Sequence, residues 1–250
     1  MAIELLNMDC YQKLLTMQDG SVDLFLQDTP FGVTQNYWDI KPNLQKMWPE
    51  WLRVGKENCA FIFFATQPFA SELISSMPKL FRYDIIWDKG FSTGHLNANK
   101  MPMRNHETVL IFYKKLPTYN PQKDYTGKTY HSKFKLMENV GGHNYGRAKS
   151  VDNSKVNSGY NFPKSIICFN KDAAGVVNHP TQKPIDLIRY FIRTYSNEYD
   201  LVFDGYGGSF STAMAADLEK RNAIICELDK DYYTAACKRF EQQTAQLKLL

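Results

Sequence analysis

The chain has 250 residues, of which 44% are hydrophobic and 22% charged, with 14 Gly and 11 Pro. This is ordinary globular composition, which excludes a disordered or fibrous chain and suffices for one large α/β core. No window approaches the roughly 20 apolar residues of a membrane span, and no charged-then-apolar signal pattern opens the chain, so a cytoplasmic setting is expected. The five cysteines, Cys10, Cys59, Cys168, Cys226 and Cys237, are scattered and mostly lie in apolar runs. They read as reduced packing residues rather than a disulfide framework or a zinc site.

Taken in order, Ile3 to Asn7 is a short alternating segment, and a helix follows over 11–17. Asp19-Gly20 signals a turn, and the apolar run from Val22 to Gln27 predicts a strand. Between Asn43 and Lys56, apolar residues recur at Leu44, Met47, Trp48, Trp51, Leu52 and Val54, the pattern of a helix with one buried face. Cys59 to Ala65 is continuously apolar, as in a sheet covered on both faces. A helix over 68–77 and strands over 83–87 and 108–113 follow. Strands alternating with helices predict a largely parallel sheet.

From Lys115 to Lys164 the texture changes to Lys, Tyr, Asn and Gly. Nine basic residues stand against three acidic ones in this stretch, a balance of +6 in a chain whose net charge is +4. A basic, Tyr-interleaved insertion beside a near-neutral body is expected to face nucleic acid, although a solvated loop region would share this composition. The α/β pattern resumes with a strand over 165–169, a helix over 185–195, a strand over 201–203, a helix over 213–218, a strand over 223–226 and a closing helix over 231–246.

Two strand ends carry the chemistry. At the first, Asp28, Thr29, Pro30 and Phe31 follow an apolar strand and precede Gly32. A carboxylate, a backbone carbonyl and a flat ring thus meet at the edge where open α/β sheets bind ligands; taken alone, Asp28 reads more readily as a helix-cap or turn carboxylate. At the second, Asp204 leads into Gly205, Tyr206, Gly207, Gly208, Ser209, Phe210, Ser211 and Thr212 before a helix. Glu227 then closes the next strand. Glycine permits close backbone approach, helix-start amides hold a polar group, and a strand-end carboxylate can accept from ribose hydroxyls. The same glycines would also serve simply to pack a helix on the sheet.

In this order, Asp28 to Phe31, His-Pro-Thr-Gln-Lys-Pro at 179–184, Asp204 to Thr212, and Glu227-Leu228-Asp229 resemble the beta-class DNA amino-methyltransferases. In that class an Asp-Pro-Pro-Tyr type motif precedes the glycine motif. The stretches from Phe81 to Trp87 and from Arg104 through Glu107 to Lys114 look like the phage and prophage members. The resemblance implies a Rossmann-like, seven-stranded α/β methyltransferase sheet, circularly permuted, as one domain over 1–250 with a target-recognition insertion at 115–164. It implies S-adenosylmethionine as cofactor, double-stranded DNA as partner, a homodimer as one possible assembly, and no metal. By position, Asp204, Gly208 and Ser209 would line the methionine side, and Gly205 and Tyr206 would belong to the same cofactor site. Glu227 would bind the ribose, Leu228 would also border the cofactor, and Asp9 and Cys10 would lie near its adenine. His179, Thr181 and Lys183 would complete the cofactor pocket, with Thr181 and Lys183 nearest its carboxylate; Thr181 also suits a helix entry.

The implied reaction is transfer of a methyl group to the N6 amine of an adenine flipped out of duplex DNA. The Asp28 carboxylate and the Thr29 carbonyl would hold the amine hydrogens, Pro30 would keep Thr29 extended, and Phe31 would stack on the base. Asp28 also borders the cofactor. Asp at the head of the motif favours adenine over N4 of cytosine in this family. Three positions depart from the pattern: Thr29 stands for Pro, Gly205 for Pro or Phe, and Phe210 for Gly. Phe210 is expected to narrow the cofactor turn or shift the helix start. A catalytically impaired DNA- or cofactor-binding protein, or an N4-cytosine methyltransferase, are the alternatives.

Overall fold

The computed structural model describes residues 2–33, 36–37, 39–125, 159–170 and 182–247. In chain order the elements are β1 (Ile3–Asn7), α1 (Cys10–Thr16), β2 (Val22–Gln27), α2 (Leu44–Val54), β3 (Gly55–Ala65), α3 (Phe69–Ser76), β4 (Phe81–Thr93), a short 3₁₀ turn at His95–Asn97 and β5 (Arg104–Phe112). They continue with β6 (Asp124–Tyr125), β7 (Tyr160–Asn161), β8 (Ile166–Cys168), α4 (Ile185–Tyr195), β9 (Leu201–Asp204), α5 (Ser211–Leu218), β10 (Asn222–Glu227) and α6 (Lys230–Leu247).

The chain divides into two compact units, Met1–Asn120 with Ser165–Leu250, and Pro121–Lys164. In the second, the described residues include a small antiparallel pair, β6 with β7. There Tyr125 and Tyr160 face each other with ring centroids 4.9 Å apart, and the Lys123 ammonium lies 4.5 Å over Phe162. The first unit is built on an eight-stranded sheet in the order β1-β10-β9-β2-β3-β5-β4-β8. The members β1, β10, β9, β2 and β3 pair in parallel, β5 runs antiparallel between β3 and β4, and β8 pairs in parallel with β4. The expected seven-stranded sheet is present, with the short β8 added along its outer edge. The first strand of the chain lies outermost at the opposite edge, beside the last.

Period-two alternation in β3 shows how the two faces are filled. Ala60, Ile62 and Phe64 point into a core formed with α4, α5 and α6, while Cys59, Phe61, Phe63 and Ala65 point into one formed with α1, α2 and α3. This two-sided coverage is why the run is continuously apolar. On the second face α2 presents Trp48 and Trp51 to Phe63, with ring centroids 5.5 and 5.0 Å away. Cys10, Cys59 and Cys226 are buried and Cys237 is half-buried, whereas Cys168, on edge strand β8, is exposed; all five are free thiols. Among the described residues no helix is long and apolar enough to cross a membrane, and no cluster of His, Cys, Asp and Glu could hold a metal ion.

Because α5 follows β9 onto one face and α2 follows β2 onto the other, the adjacent strands β9 and β2 form a topological switch point. Ligands of open α/β sheets bind outside the carboxyl ends of strands at such a point.

Candidate active site

Asp28 and Thr29 continue directly from β2, while Asp204 ends its neighbour β9 and Glu227 ends β10. The junction of β2 and β9 is tied by Gln27, a buried amide at the end of an apolar strand. Its Nε2 donates to the Phe203 carbonyl (2.7 Å) and its Oε1 accepts from the Gly205 N–H (3.1 Å). Only a polar side chain able to donate and accept can join both strand ends in this way. A lone Gln closing an apolar run was the available sequence signal, and it was not singled out.

Every described residue of the expected set lines one cavity of about 860 Å³. That includes Asp9, Cys10, Asp28, Thr29, Pro30, Phe31, Lys183, Asp204, Gly205, Tyr206, Gly208, Ser209, Glu227 and Leu228. The size is typical of a ligand or cofactor site. His179 and Thr181 lie outside the described residues.

On the glycine-turn side, Asp204 is buried and holds the turn. Its Oδ2 accepts from the Thr212 hydroxyl (2.6 Å) and its Oδ1 from the Tyr206 N–H (2.9 Å). Burial raises its pKa to about 7, against the opposing pull of these two donors. Gly208 has φ +52 and donates its N–H to Glu227 Oε2 at 2.7 Å, while the Asp229 N–H donates to Oε1 at 2.8 Å. Two of about four acceptor positions on that carboxylate are used, leaving capacity for two hydroxyl donors. Burial raises the Glu227 pKa, and the two amides restrain the rise. Gly205 is confined from behind, since a Cβ there would meet Cys10 Cβ at 2.9 Å. This contact explains why the position holds no larger residue beside Cys10.

Phe210 corrects the sequence expectation. It takes φ +60, ψ 29 at the start of α5, and its ring is wholly buried, packed edge-on to Tyr233 at 5.8 Å. The left-handed backbone turns the ring into the core, so it does not line the cavity, and α5 begins at the next residue.

On the other side Asp28 is only partly covered and accepts from the Lys183 ammonium, with Nζ 2.6 Å from Oδ2. Burial pushes the Asp28 carboxyl above its ordinary range; Lys183 opposes this and Glu107 adds to it. Burial also penalises the Lys183 ammonium, but Asp28 and Glu107 outweigh it and raise its pKa. The structure thus aims Lys183 at the strand-end carboxylate, from within the cavity to which the resemblance assigns it. Phe31 lines the cavity with its ring stacked on Phe69 at 5.9 Å. Behind it, Asp39, which the sequence reading missed, accepts from the Gly32 N–H (2.8 Å) and the Val33 N–H (2.9 Å) and fixes the turn.

Two consequences are measurable. The Thr29 side chain is buried, and its hydroxyl has no hydrogen-bond partner among the described residues. Thr29→Val removes an unsatisfied buried group at nearly constant shape and should stabilise the free protein by about 1 kcal/mol, read as a higher urea midpoint. Asp204 gives a pH effect. Its folded-state pKa lies above the unfolded value, so the native state binds the extra proton between about pH 4 and 7 and this group's contribution falls as pH rises through that window. Asp204→Asn should therefore gain melting temperature relative to the unsubstituted protein between pH 5 and 8. At roughly 1.4 kcal/mol per pKa unit the gain is at most about 4 kcal/mol. A difference that stays flat with pH would refute the assignment.

The N6/N4 methyltransferase family model, described as DNA methylase, matches residues 22–238. The type II methyltransferase M1.MboII of Moraxella bovis is 26% identical over 257 residues, covering 92% of this chain and 93% of that protein. The DNA adenine methyltransferase YhdJ of Escherichia coli is 24% identical, covering 93% and 81%. Among solved structures, an M1.HpyAVI–SAM complex superposes with a TM-score of 0.64 at 19% identity, over 95% of this chain and 98% of that one. The cytosine-N4-specific PvuII DNA methyltransferase gives a TM-score of 0.64 at 17% identity, over 96% and 86%. At such identities the superpositions establish the fold.

Proposed function

Because the chain belongs to the N6/N4 DNA methylase family, we propose that it is a site-specific, S-adenosylmethionine-dependent methyltransferase acting on the N6 amine of adenine in double-stranded DNA. The observation that carries this reading is the convergence on one cavity of two strand-end corners, Asp28 with Phe31 and Asp204 with Glu227.

The residues present fit the cofactor. Glu227 retains acceptor capacity for two ribose hydroxyls, the Gly208 φ of +52 keeps the turn free of a side chain, and the cavity has ligand size. Asp9, Cys10 and Leu228 would border the nucleoside, and Asp204, Gly205, Tyr206 and Ser209 the amino-acid end, with His179 and Thr181 assigned to the same pocket by family position. When bound, the cofactor supplies an electrophilic methyl on a sulfonium.

The chain's own part is to prepare the amine. The exocyclic nitrogen is a weak nucleophile because its lone pair is delocalised into the ring. Asp28 and the Thr29 carbonyl would accept its two hydrogens and favour a pyramidal nitrogen. On taking the methyl group the nitrogen would become cationic, and the N–H proton it then sheds would pass to the Asp28 carboxylate that accepts it in a hydrogen bond. A carboxylate aimed at that developing charge is a large catalytic term. Phe31 would stack on the extruded base and offset part of the cost of unpairing it. The basic 115–164 segment supplies sequence-independent attraction to phosphates.

The N4-cytosine reading has one observation in its favour, the shared fold with a cytosine-N4-specific enzyme. Transfer of labelled methyl from S-adenosylmethionine to unmethylated DNA, followed by identification of the modified nucleoside, separates the cases. N6-methyladenine is expected. N4-methylcytosine would overturn the base assignment, and no transfer above the Asp28→Asn variant, with DNA binding retained, would leave a binding protein.

A further inference from the structure

The Arg104–Lys114 stretch has no part in the chemistry described above, yet it places Glu107 against the site. Glu107 lies on β5, paired across the ladder with Trp87 of β4. Its Oε2 is buried, makes no hydrogen bond among the described residues, and stands 3.5 Å from the Lys183 ammonium. Its Oε1 is 3.6 Å from the ammonium of Lys89, another buried side chain. Both separations exceed a normal charge-assisted hydrogen bond of roughly 2.8 Å. The result is a row of alternating charge, half-buried Asp28, buried Lys183, half-buried Glu107 and buried Lys89, in which only the first pair is in close contact. The Lys183 ammonium is flanked by the faces of Phe64 at 5.3 Å and Phe31 at 6.0 Å, so its polar partners are confined to the two carboxylates and the cavity.

This creates a conflict at Asp28. The oxygen held by Lys183 at 2.6 Å is on the carboxylate assigned to accept the substrate amine. An ammonium so close competes for its lone pairs and draws negative charge away from the nitrogen that needs it. Simple withdrawal of Lys183 would leave a cation unpaired among aromatic rings. Glu107 resolves the conflict, because an approach of under about 1 Å converts the 3.5 Å separation into a normal hydrogen bond.

We propose that Glu107 is a positioning residue that offers the Lys183 ammonium a second seat, so that Asp28 can exchange Lys183 for the substrate amine. The inference rests on the methyltransferase reading. Glu107 does not line the cavity and acts through Lys183.

The test is methyl transfer to unmethylated duplex DNA by the full chain, comparing Glu107→Gln and Glu107→Asp with the unsubstituted protein. S-adenosylmethionine affinity by calorimetry and the thermal melt serve as folding controls. Glu107→Gln keeps the shape but withdraws the charge of the second seat and turns an NH₂ toward one of the two ammoniums, and should lower kcat by on the order of tenfold to 100-fold. The cofactor Kd should stay within about twofold, since the cofactor side of the cavity is untouched. The charged groups facing Asp28 are Lys183, Glu107 and Asp204, and those facing Glu107 are Lys183, Lys89 and Asp28. Removing the Glu107 charge should therefore move the acid limb of the kcat profile to lower pH, while Glu107→Asp should keep the limb in place and recover part of kcat. An active parent enzyme with kcat and limb unchanged in Glu107→Gln overturns the proposal. So does a loss of kcat with an unmoved limb that Glu107→Asp fails to recover, the mark of a purely structural role. A parent chain that binds S-adenosylmethionine but transfers no methyl refutes the methyltransferase reading itself, and this inference with it.

Discussion

Asp28→Asn is expected to lower kcat for methyl transfer by about 10²–10³-fold while cofactor affinity and melting temperature change little, measured by single-turnover transfer of labelled methyl at saturating DNA. The magnitude is that of removing one preorganised group aimed at developing charge. The sign follows from hydrogen-bond capacity. A carboxylate offers only acceptors, whereas an amide must turn its NH₂ toward either the incoming amine or Lys183, both of which are donors. Asn is the informative substitution because of what surrounds the position. Asp28→Ala would also remove the 2.6 Å partner of a buried ammonium and leave Lys183 with only the 3.5 Å contact to Glu107. Breaking a buried pair from one side typically costs about 3–5 kcal/mol, so Ala would confound lost stability with lost chemistry. If Asp28→Asn retained full kcat, the carboxylate would not be the amine acceptor, and the lysine facing it would be a structural ion pair only.

How far the site was legible in the sequence depends on how local each feature is. The corner at Asp204 is a strand, a glycine turn and a helix start contiguous along the chain, and Glu227 is the next strand end, so both could be read. The run from Cys59 to Ala65 announced a strand buried on both faces. Its true start at Gly55 was hidden, because Lys56, Glu57 and Asn58 are polar and a register shift between Val22 and Leu24 changes the pairing with β2 there. β4 continues past Trp87 to Thr93 because β5 extends alongside it to Arg104, a pairing no local pattern reveals. The same holds for the charges. Lys183 and Asp28 are 155 residues apart and Gln27 and Phe203 are 176 apart, so their contacts are properties of the sheet order. For Lys183, position in the chain was enough to put it at the pocket, and only the fold shows that its ammonium also meets the Asp28 carboxylate.

Phe210→Gly, which restores the residue usual in the resembling family, is expected to destabilise the protein by about 2–4 kcal/mol and to leave S-adenosylmethionine affinity within about threefold. Two terms oppose each other. The left-handed backbone at φ +60 costs a non-glycine residue roughly 1–2 kcal/mol, which glycine would recover. Against this, the ring is wholly buried, meets Tyr233 edge-on, and occupies the space beside Gly207, where a Cβ would come within 2.8 Å of it. Emptying such a site typically costs about 3–5 kcal/mol, so burial wins. Phe210→Ala should be worse than Phe210→Gly by about 1 kcal/mol, because alanine loses the ring and keeps the strained backbone. Urea unfolding of the three proteins, with and without the cofactor, gives both the ordering and the affinity. The ring acts as a core anchor that holds the start of α5 against α6. If Phe210→Gly were instead as stable as its parent and bound the cofactor tenfold more tightly, the ring would be an obstruction in the site rather than an anchor beneath it.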